Sequence, residues 1–390
     1  MSYRDVEALM QEFVKKGPAG CAIAFAQNGE TMFEGYYGLS DVENGKPVDE
    51  NSLFRLFSMT KLLTCSSGLI QFERGQLLMN DPISEYLPEY KHMQIWKKLE
   101  DGSYVLEEAK QPILVRHCFN MAVGMYSREE GTPGAVAREK VQAELLAEHP
   151  DGKWTHIEEI RKMASVPMLW EPGTRWQYGF GHELVNALVE VTSGKSLGEF
   201  MRENIFEPLD MKSAAYRFRS EEEKARMMRV YARGEDGSLT RVDTTRFDRN
   251  HEADAVYESG GTGVFCNLRD YLRFSQMLAN GGIMGDTRIM GRKTIDMMRS
   301  NMLNDQQLRD FRNSYLAGYG YGYGVRTMMD LGLGGSNGSV GDFGWTGAAG
   351  TWVTIDPTEK FSAVYMHQMF PNMEEYHHLR VRAAVNACIK

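Results

Sequence analysis

The chain has 390 residues, of which 42% are hydrophobic and 25% charged, an ordinary globular composition that excludes collagen, coiled coil and disorder. At about 150 residues per domain, this length predicts one large domain or two closely joined ones. Lys and Arg number 44 against 53 Asp and Glu, which gives a net charge of −9 with both signs interleaved. Because no basic stripe is present to neutralise phosphates, we expect neither nucleic acid nor a membrane surface as a partner.

The cysteines and the amino-terminal segment both favour a cytoplasmic protein. Residues 1–17 have the pattern of an amphipathic helix and lack the basic start and apolar run of a secretion signal. No apolar stretch approaches the length of a membrane span. The cysteines are odd in number and none has C-x-x-C spacing, so we expect reduced, mostly buried thiols. They are Cys21, Cys65, Cys118, Cys266 and Cys388.

The first elements predicted in chain order are this helix and an antiparallel hairpin. Cys21–Gln27 and Thr31–Tyr37 are β-rich runs on either side of Asn28-Gly29, a strong two-residue turn signal. From Ser58 to Arg74, apolar residues recur on one helical face, and Gly75 follows as a stop signal.

The middle of the chain, from 76 to 314, is predicted to be mainly helical. Asp81-Pro82 predicts the cap of a short helix. Asp236-Gly237 marks a polar hairpin inside this region. Five further segments have helical spacing with charged outer faces, namely Glu183–Thr192, Leu197–Glu203, Glu221–Val230, Leu268–Ala279 and Lys293–Arg299.

After residue 314 the pattern changes to strands. The sequence predicts strands over Tyr319–Thr327, Thr351–Ile355 and Phe361–Gln368, and a closing helix over Glu374–Cys388. Strands at both ends with helices between them predict an α/β fold, with a sheet built from both termini and a helical region inserted. We therefore expect a discontinuous sheet domain (1–75 and 315–390), a helical domain (76–314) and a cleft between them.

Ser58-Met59-Thr60-Lys61 is the only S-x-x-K in the chain, and it falls at the start of a predicted helix. Residues three apart share a helical face, so the lysine ammonium can reach the serine hydroxyl. A hydroxyl is a poor nucleophile until a base takes its proton, and a helix N-terminus favours developing negative charge. The alternative interpretation is a solvated pair on a helix surface.

Tyr178 follows the turn-rich segment EPGTRWQ and precedes a predicted helix. A tyrosine at such a junction can point into a cleft, where a lysine ammonium would favour its phenolate form and make it a usable base. The alternative is an ordinary packed tyrosine.

The segment FGWTGAAGT, residues 343–351, places small residues at the mouth of a predicted strand. Small side chains let a substrate approach the backbone, and exposed N–H groups at such an edge can form an oxyanion hole. The alternative is a glycine-rich turn into a core strand.

These motifs, in this order, resemble the serine β-lactamase and penicillin-binding protein superfamily, and most of all class C β-lactamases and family VIII carboxylesterases. The resemblance runs almost end to end, through GLSDVENGKPVDENSLFRLFSMTK, PMLWEPGTRWQYGFGHELVNALVEVTSGKSLGEFMRENIFEPLDM, ESGGTGVF and FGWTGAAGTWVTIDP. It implies a β-lactamase-like fold, in which an antiparallel sheet is flanked by helices.

The resemblance also implies roles for individual residues. Ser58 matches the acylated nucleophile, Lys61 its partner, and Tyr178 the general base and acid. Trp345, Thr346 and Gly347 occupy the position of the K-T-G element. The backbone N–H groups of Ser58 and Ala348 match the oxyanion hole.

Two departures from the class C pattern affect the expected substrate. Trp345 stands where those enzymes have a lysine, and Phe180 stands where they have an amide side chain. Both changes remove polar contacts for a β-lactam and make the cleft more apolar, which resembles the esterase branch. The stretch from Met121 to Tyr126 also departs from the common pattern, and Tyr126 is expected on the pocket wall.

Three other motifs are weaker candidates. Ser336 lies in a formal G-x-S-x-G but lacks the strand and helix context of a nucleophile elbow. His182-Glu183 stops short of H-E-x-x-H, so we expect no metal and no other cofactor. His377 and His378 are expected on the solvated face of the last helix.

The sequence thus predicts a cytoplasmic serine hydrolase that forms an acyl-enzyme on Ser58 and hydrolyses small carboxylic esters. One alternative is amide chemistry at the same site, as in a β-lactamase or a D-amino-acid amidase or peptidase. An acyl transferase is another, and a catalytically idle binding or sensor domain a third. The expected partner is a small-molecule ester or amide, and the oligomeric state is left open.

Overall fold

A β-sheet assembled from both ends of the chain forms the centre of the molecule. The structure, a computed structural model, describes residues 3–125, 129–312 and 314–390. Within these residues the main sheet has eight strands, all antiparallel, in the order β12-β13-β14-β15-β16-β1-β2-β3. Those strands are β1 Gly20–Gln27, β2 Glu30–Asp41, β3 Lys46–Pro47, β12 Tyr319–Tyr321, β13 Arg326–Met328, β14 Phe343–Thr346, β15 Trp352–Asp356 and β16 Phe361–His367.

Helices of varied length surround the sheet and fill the middle of the chain. They are α1 Tyr3–Lys16, α2 Thr60–Glu73, α3 Val115–Phe119, α4 Pro133–Glu148, α5 His156–Met163, α6 Gly181–Ser193, α7 Leu197–Met201, α8 Glu221–Ala225, α9 Thr245–Asp248, α10 Leu268–Ala279, α11 Arg292–Met298, α12 Asp305–Phe311, α13 Leu331–Gly334 and α14 Glu374–Asn386. Single 3₁₀ turns cover Phe57–Met59, Ile83–Glu85, Pro88–Tyr90, Arg249–His251 and Ser314–Leu316, and Arg202–Phe206 is a π turn.

The remaining strands form small ladders outside the main sheet. They are β4 Phe54–Arg55, β5 Gln94–Lys98, β6 Tyr104–Glu108, β7 Tyr231–Arg233, β8 Leu239–Arg241, β9 Phe265–Cys266, β10 Ile283–Met284, β11 Thr287–Arg288 and β17 Met369–Phe370. The pairs are β4 with β9, β5 with β6, and β10 with β11, while β7 lies between β8 and β17.

Strand β1 shows why the sheet lies at the centre of the core. All eight of its residues are buried, because successive side chains point to opposite faces and both faces are covered. Its alanines, such as Ala24, face the larger core that includes α2 and α10. Ile23 and Phe25 face a second core closed by α1 and α14. The predicted sheet built from both termini is thus confirmed.

Several local predictions are also confirmed. Asn28 and Gly29 join β1 to β2 with φ values of 55° and 87°, as a type I′ turn requires. Asp236 and Gly237 lie in the turn between β7 and β8. All five cysteines of the chain lie in the described residues, unpaired and buried.

Two predicted elements are corrected by tertiary contacts. The strand predicted over Tyr319–Thr327 is a hairpin, β12 and β13, because Gly324 has a φ of 84° and the N–H of Gly322 donates to the Val325 carbonyl. The helix predicted to Val230 ends at Ala225, because Met228 instead donates its N–H to the Leu53 carbonyl.

Two further expectations were wrong about burial and position. His377 and His378 are buried, and their rings lie near that of His367 instead of facing solvent. Trp345 and Thr346 belong to strand β14 itself and not to a loop before a strand. In addition, the hairpin of β5 and β6 lies in the middle region, where mainly helices were expected.

Helix α10 connects the middle of the chain to the sheet. Its Ser275 donates a hydrogen bond to Ser362 in β16, and its Tyr271 donates to the carbonyl of Met59, next to Ser58. The division into domains at residues 76 and 314 remains a prediction. Within the described residues, no helix combines the length and apolar character needed to cross a membrane.

Candidate active site

Ser58 lies in the 3₁₀ turn Phe57–Met59, which leads directly into α2. Phe57 has a φ of 45°, in the left-handed region, which is a strained conformation for a bulky side chain. Its ring is held by edge contacts with Phe247 and Phe370. Since α2 is buried at every position from Thr60 to Gln71, Ser58 stands at the end of a fixed core helix.

Lys61 is three residues further on, and the structure brings it to Ser58 as the spacing predicts. Its Nζ lies 3.2 Å from the Ser58 Oγ and donates a second hydrogen bond, of 2.8 Å, to the carbonyl of Gly261. The side chain is buried, with only 4% of the residue exposed. A buried ammonium without partners would be strongly destabilising, so these contacts define where it sits.

Tyr178 covers the same ammonium from the other side. The centre of its ring lies 4.9 Å from the Lys61 Nζ, within the range of a cation–π contact. Its hydroxyl oxygen accepts a hydrogen bond of 3.3 Å from the indole N–H of Trp345, and the two rings stack 5.6 Å apart. An indole N–H donated to this oxygen stabilises negative charge on it.

The turn after β14 is fixed to the backbone just before Ser58. Thr351 donates its hydroxyl hydrogen to the Leu56 carbonyl at 3.0 Å, and the N–H of Gly347 donates to the Thr351 carbonyl at 2.7 Å. A Cβ on Gly347 would collide with the Leu56 carbonyl, so only glycine lets the two segments come this close. Thr346 and Gly347 thereby reach the site predicted for them.

The backbone N–H groups of Ser58 and Ala348 are available to a ligand. Ser58 is the second residue of its 3₁₀ turn, so its N–H has no acceptor within that turn. Ala348 is exposed and follows Gly347 directly. In the described part of the chain neither N–H has a protein acceptor, and both residues line one cleft.

This cleft has a volume of about 450 Å³ and a wall rich in aromatic rings. The aromatic residues are Trp176, Tyr178, Phe311, Tyr315 and Trp345, and the charged or amide residues of the lining are Asp310, Arg312, Asn372 and Glu374. Leu316, Thr346, Gly347 and Ala348 complete the lining beside Ser58. The arrangement can hold a small molecule with apolar groups against an activated hydroxyl.

A larger cavity, of about 550 Å³, lies elsewhere, around Arg217 and Glu258. Arg217 and Glu258 of its lining form an ion pair, with 2.7 Å between them. It contains none of the predicted site residues, so we assign the chemistry to the smaller cleft.

A family model described as Beta-lactamase matches residues 6–387. The chain belongs to this family. It is accordingly a serine hydrolase-type enzyme.

Two relatives that align with most of the chain have names that refer to ester or acyl chemistry. Esterase EstB of Burkholderia gladioli is 26% identical over 85% of this chain and 81% of that protein. The ML-236A carboxylate methylbutanoyltransferase mlcH of Penicillium citrinum is 25% identical over 94% of this chain and 89% of its own length.

A solved structure shares the fold. Unliganded simvastatin synthase (LovD) from Aspergillus terreus matches with a TM-score of 0.83 and 22% identity, over 100% of this chain and 98% of that one. The β-lactamase-like fold predicted from the motifs is confirmed.

Two residues that the sequence analysis of this β-lactamase family member placed in the site are not found in the cleft. One does not line the cleft, and the other lies outside the described residues. Phe180 precedes α6 and packs against a small apolar cluster that contains Val141 and Leu145 of α4. It is not among the residues that line the cleft with Ser58. Tyr126 falls in the segment 126–128, outside the described residues.

The weaker candidates are also placed. Ser336 follows α13, away from the cleft, and its hydroxyl accepts a hydrogen bond from the N–H of Gly338. His182 is buried, with Nε2 2.9 Å from the Phe119 carbonyl. Among the described residues, no group of three or more His, Cys, Asp or Glu side chains could hold a metal ion.

Glu183, interpreted from the sequence only as part of an incomplete zinc motif, belongs to a network beside Lys61. Burial alone would raise the pKa of Glu183, but hydrogen bonds, first of all with His156, lower it to about 2. Burial alone would lower the pKa of His156, but Glu183 and Glu190 raise it to about 9. The only sequence signal for this network was the segment ESGGTGVF, whose Gly261 carbonyl holds Lys61.

Proposed function

We propose that this enzyme hydrolyses small carboxylic esters through an acyl-enzyme on Ser58. The observation that carries the proposal is the contact of 3.2 Å between the Lys61 Nζ and the Ser58 Oγ, under the ring of Tyr178. A hydroxyl paired with a basic side chain and covered by a second titratable group is the arrangement of an activated nucleophile.

In the proposed reaction, Tyr178 takes the proton of Ser58 as its Oγ attacks the ester carbonyl. The N–H groups of Ser58 and Ala348 stabilise the resulting oxyanion. Tyr178 then returns the proton to the departing alcohol, leaving an acyl group on Ser58. In the second half, Tyr178 takes a proton from water as the water attacks the acyl group, and then returns that proton to the departing Ser58 Oγ, which frees the acid and restores the serine hydroxyl. Lys61 stays hydrogen-bonded to Ser58 and balances charge on the phenolic oxygen.

The cleft wall supports esters over β-lactams. Trp345 contributes an apolar face and a single N–H, and that N–H is donated to Tyr178. A cation for a substrate carboxylate is therefore missing at this position of the wall, and esters also need less protonation of the leaving group than amides do. Small esters with apolar acyl groups fit this lining best.

Acyl transfer to an alcohol is a second candidate, supported by the likeness to the methylbutanoyltransferase mlcH over 94% of this chain. Both reactions use the same acyl-enzyme, and they differ in whether water or an alcohol accepts the acyl group. The ratio of alcohol ester to free acid formed from one donor, measured with increasing alcohol, decides between them.

Intact-mass measurement after exposure to p-nitrophenyl esters, D-amino-acid amides and β-lactams tests the substrate class. We expect the esters to add an acyl mass that then disappears with time. A mass gained only from a β-lactam, or efficient cephalosporin hydrolysis, would move the enzyme to amide chemistry. If none of the three compound classes forms an adduct, a catalytically idle binding or sensor domain is the remaining alternative.

A further inference from the structure

The carboxylate of Glu183, in the first turn of α6, has hydrogen-bond partners in two segments of the described chain, 259–261 and α5. Oε1 accepts from the Ser259 hydroxyl at 2.7 Å and the Gly261 N–H at 3.0 Å. Oε2 accepts from the Gly260 N–H at 2.8 Å and lies 3.0 Å from His156 Nε2. Four partners around one carboxylate leave it little freedom to move.

The segment from Ser259 to Gly261 lies between Glu183 and the helix that carries Lys61. The N–H groups of Gly260 and Gly261 face Glu183, while the carbonyls of the same two residues face α2. The Gly260 carbonyl accepts from Thr64 at 2.6 Å, and the Gly261 carbonyl accepts from the Lys61 Nζ at 2.8 Å. The orientation of these peptide planes therefore determines where the Lys61 ammonium is held.

Two consecutive glycines cannot fix that orientation by themselves, because glycine has the widest backbone freedom. The contacts on the Glu183 side supply the constraint. A Cβ on Gly261 would lie 2.8 Å from the Glu183 Oε1 and 3.2 Å from the Lys61 Nζ, so the residue separates carboxylate and ammonium without room for a methyl group.

His156 holds the far side of the carboxylate. It is buried, with 1% of the residue exposed. Its Nδ1 lies 3.8 Å from the carboxylate of Glu190, a residue further along α6 than Glu183. Glu190 therefore shares the histidine with Glu183, but in the described structure it forms no hydrogen bond with Gly260 or Gly261.

We propose that Glu183 is a positioning residue, which holds the Lys61 ammonium at Ser58 by fixing the Gly260-Gly261 peptide planes. The proposal rests on the proposed function, in which Lys61 and Ser58 act together. Without the carboxylate, the Gly261 carbonyl turns away and the ammonium leaves the Ser58 Oγ. Displacement of a reacting group by about 1 Å costs on the order of 10²-fold in rate, while ground-state binding in the cleft is unaffected.

The test compares Glu183→Gln, Gly261→Ala and Glu190→Gln with the wild type. In Glu183→Gln, one oxygen becomes an NH₂ group that faces N–H donors. Gly261→Ala disturbs the contact between Gly261 and the Glu183 carboxylate by adding a methyl group there, and it leaves the Glu183 side chain itself unchanged. Glu190→Gln is the matched control, because it removes the other carboxylate from His156 and leaves the glycines untouched.

The first readout is the rate constant for labelling of Ser58 by a fluorophosphonate, followed by intact mass and peptide mapping. This reaction needs an activated serine but no ester specificity. We expect labelling to slow by about 10²-fold in both Glu183→Gln and Gly261→Ala, with kcat for p-nitrophenyl acetate reduced in parallel and KM nearly unchanged. Glu190→Gln should keep the wild-type rates.

Wild-type labelling and kcat in folded Glu183→Gln and Gly261→Ala would overturn the inference and leave the proposed function intact. So would an equal loss in Glu190→Gln, since the effect would then come from His156. If one of the two variants does not fold, the other decides.

If Ser58 of the wild type is not labelled at all, the proposed function fails, and crystal structures of the variants judge the inference separately. A Lys61 Nζ beyond hydrogen-bonding distance of the Ser58 Oγ in Glu183→Gln supports it. An unmoved Lys61 overturns it.

Discussion

The hydrogen bond between Lys61 and Ser58 is the single contact on which the proposed chemistry depends most directly. It joins two residues of one turn, and no other serine in the chain has a lysine three positions later. The backbone before it is strained at Phe57, and such strain at a nucleophile costs about 1–3 kcal/mol, which the surrounding aromatic contacts offset.

Ser58→Ala should abolish ester turnover, because it removes the oxygen that would carry the acyl group. Loss of a covalent nucleophile costs several orders of magnitude in kcat. Ser336→Ala is the control and should remain active, since Ser336 lies away from the cleft. Peptide mapping after labelling with a fluorophosphonate checks the assignment, and a label on Ser336 in the Ser58→Ala protein would refute it.

Tyr178→Phe should lower kcat by roughly 10²–10⁴-fold with little change in KM, because proton transfer is needed in the transition state and hardly at all for binding. The matched control is Tyr321→Phe, which removes a buried hydroxyl that has no partner in the described residues and whose ring contacts Trp345. Steady-state kinetics on both proteins make the comparison. An unchanged kcat in folded Tyr178→Phe would leave Lys61 as the sole base.

Trp345 is expected to select uncharged esters and also to hold the Tyr178 oxygen. Wild type should prefer a neutral short-chain ester to an analogue with a carboxylate near the scissile bond. Trp345→Lys should narrow that preference by about 2 kcal/mol, because it supplies a cation to the carboxylate. Trp345→Phe should lower kcat for both esters alike, because it removes only the N–H given to Tyr178.

The ratio of kcat/KM for the two esters, measured with the melting temperature, separates these effects. Equal loss on both esters in Trp345→Lys, together with a lower melting temperature, would mean that Trp345 serves packing alone.

Residues close in sequence could be found from the sequence, and residues joined only by the fold could not. The turn spacing placed Lys61 beside Ser58, and a recognised motif marked Tyr178. Glu183 could not be assigned a role, because its partner Ser259 lies 76 residues further along the chain. Phe180 was expected in the cleft from its position in a motif, but its side chain packs against both the larger core and the apolar cluster on α4 and α5.

At the scale of elements, the site depends on how closely the β14–β15 turn approaches the turn before α2. Gly347→Ala should push the two apart and move the Ala348 N–H away from the oxyanion position. Loss of one oxyanion donor costs about 10²–10³-fold in kcat. Gly332→Ala, in the exposed helix α13, adds a methyl group whose one near neighbour is the Asp330 carboxylate at 3.4 Å, an ordinary contact distance, and should leave kcat unchanged.

Kinetics and thermal unfolding of both glycine variants check this prediction. A Gly347→Ala protein that keeps its kcat would show that the close approach serves stability only.

Elements with a local signal were predicted well, and those that depend on distant partners were not. The turn at Asn28-Gly29 and helix α10 follow from short-range patterns. The break between β12 and β13 could not be predicted in this way. Tyrosines at every second position have the same spacing before and after the chain changes direction, so they do not mark the turn. Helix α8 ends early because the Met228 N–H donates a hydrogen bond to the carbonyl of Leu53, a residue far away in the sequence.

At the scale of the whole molecule, buried histidines make stability depend on pH. Burial lowers the pKa of His377 to about 4, that of His117 to about 4 and that of His182 to about 3. Their ordinary value, about 6.5, applies in the unfolded chain. Between these values the three groups bind more protons in the unfolded chain than in the folded one, so the stability that they contribute is complete above about pH 6.5 and falls as the pH decreases towards 4. His156, whose pKa is raised to about 9, acts in the opposite sense and offsets part of this change.

The free energy of unfolding should therefore be lower at pH 5 than at pH 7.5, by up to about 2 kcal/mol for each such histidine. Urea denaturation at the two pH values measures the difference. His377→Gln should make the dependence less steep, whereas His92→Gln, at an exposed position, should not change it. Equal stability at both pH values would contradict the prediction.

The pairing of β1 with β16 has a consequence for how the protein is made. Cys21 lies opposite His367, so strand β1 can pair with β16 only after the whole of the intervening chain has been synthesised. Such long-range pairing slows folding, because the intervening chain must be ordered before the contact forms. During synthesis, the segments that carry Ser58, Lys61 and Tyr178 emerge well before Ala348. Strand β1 can then be paired with β2 only, until β16 has been made. Protease resistance of the sheet should therefore appear only after β16 has emerged from the ribosome, and the enzyme should become active no earlier than that.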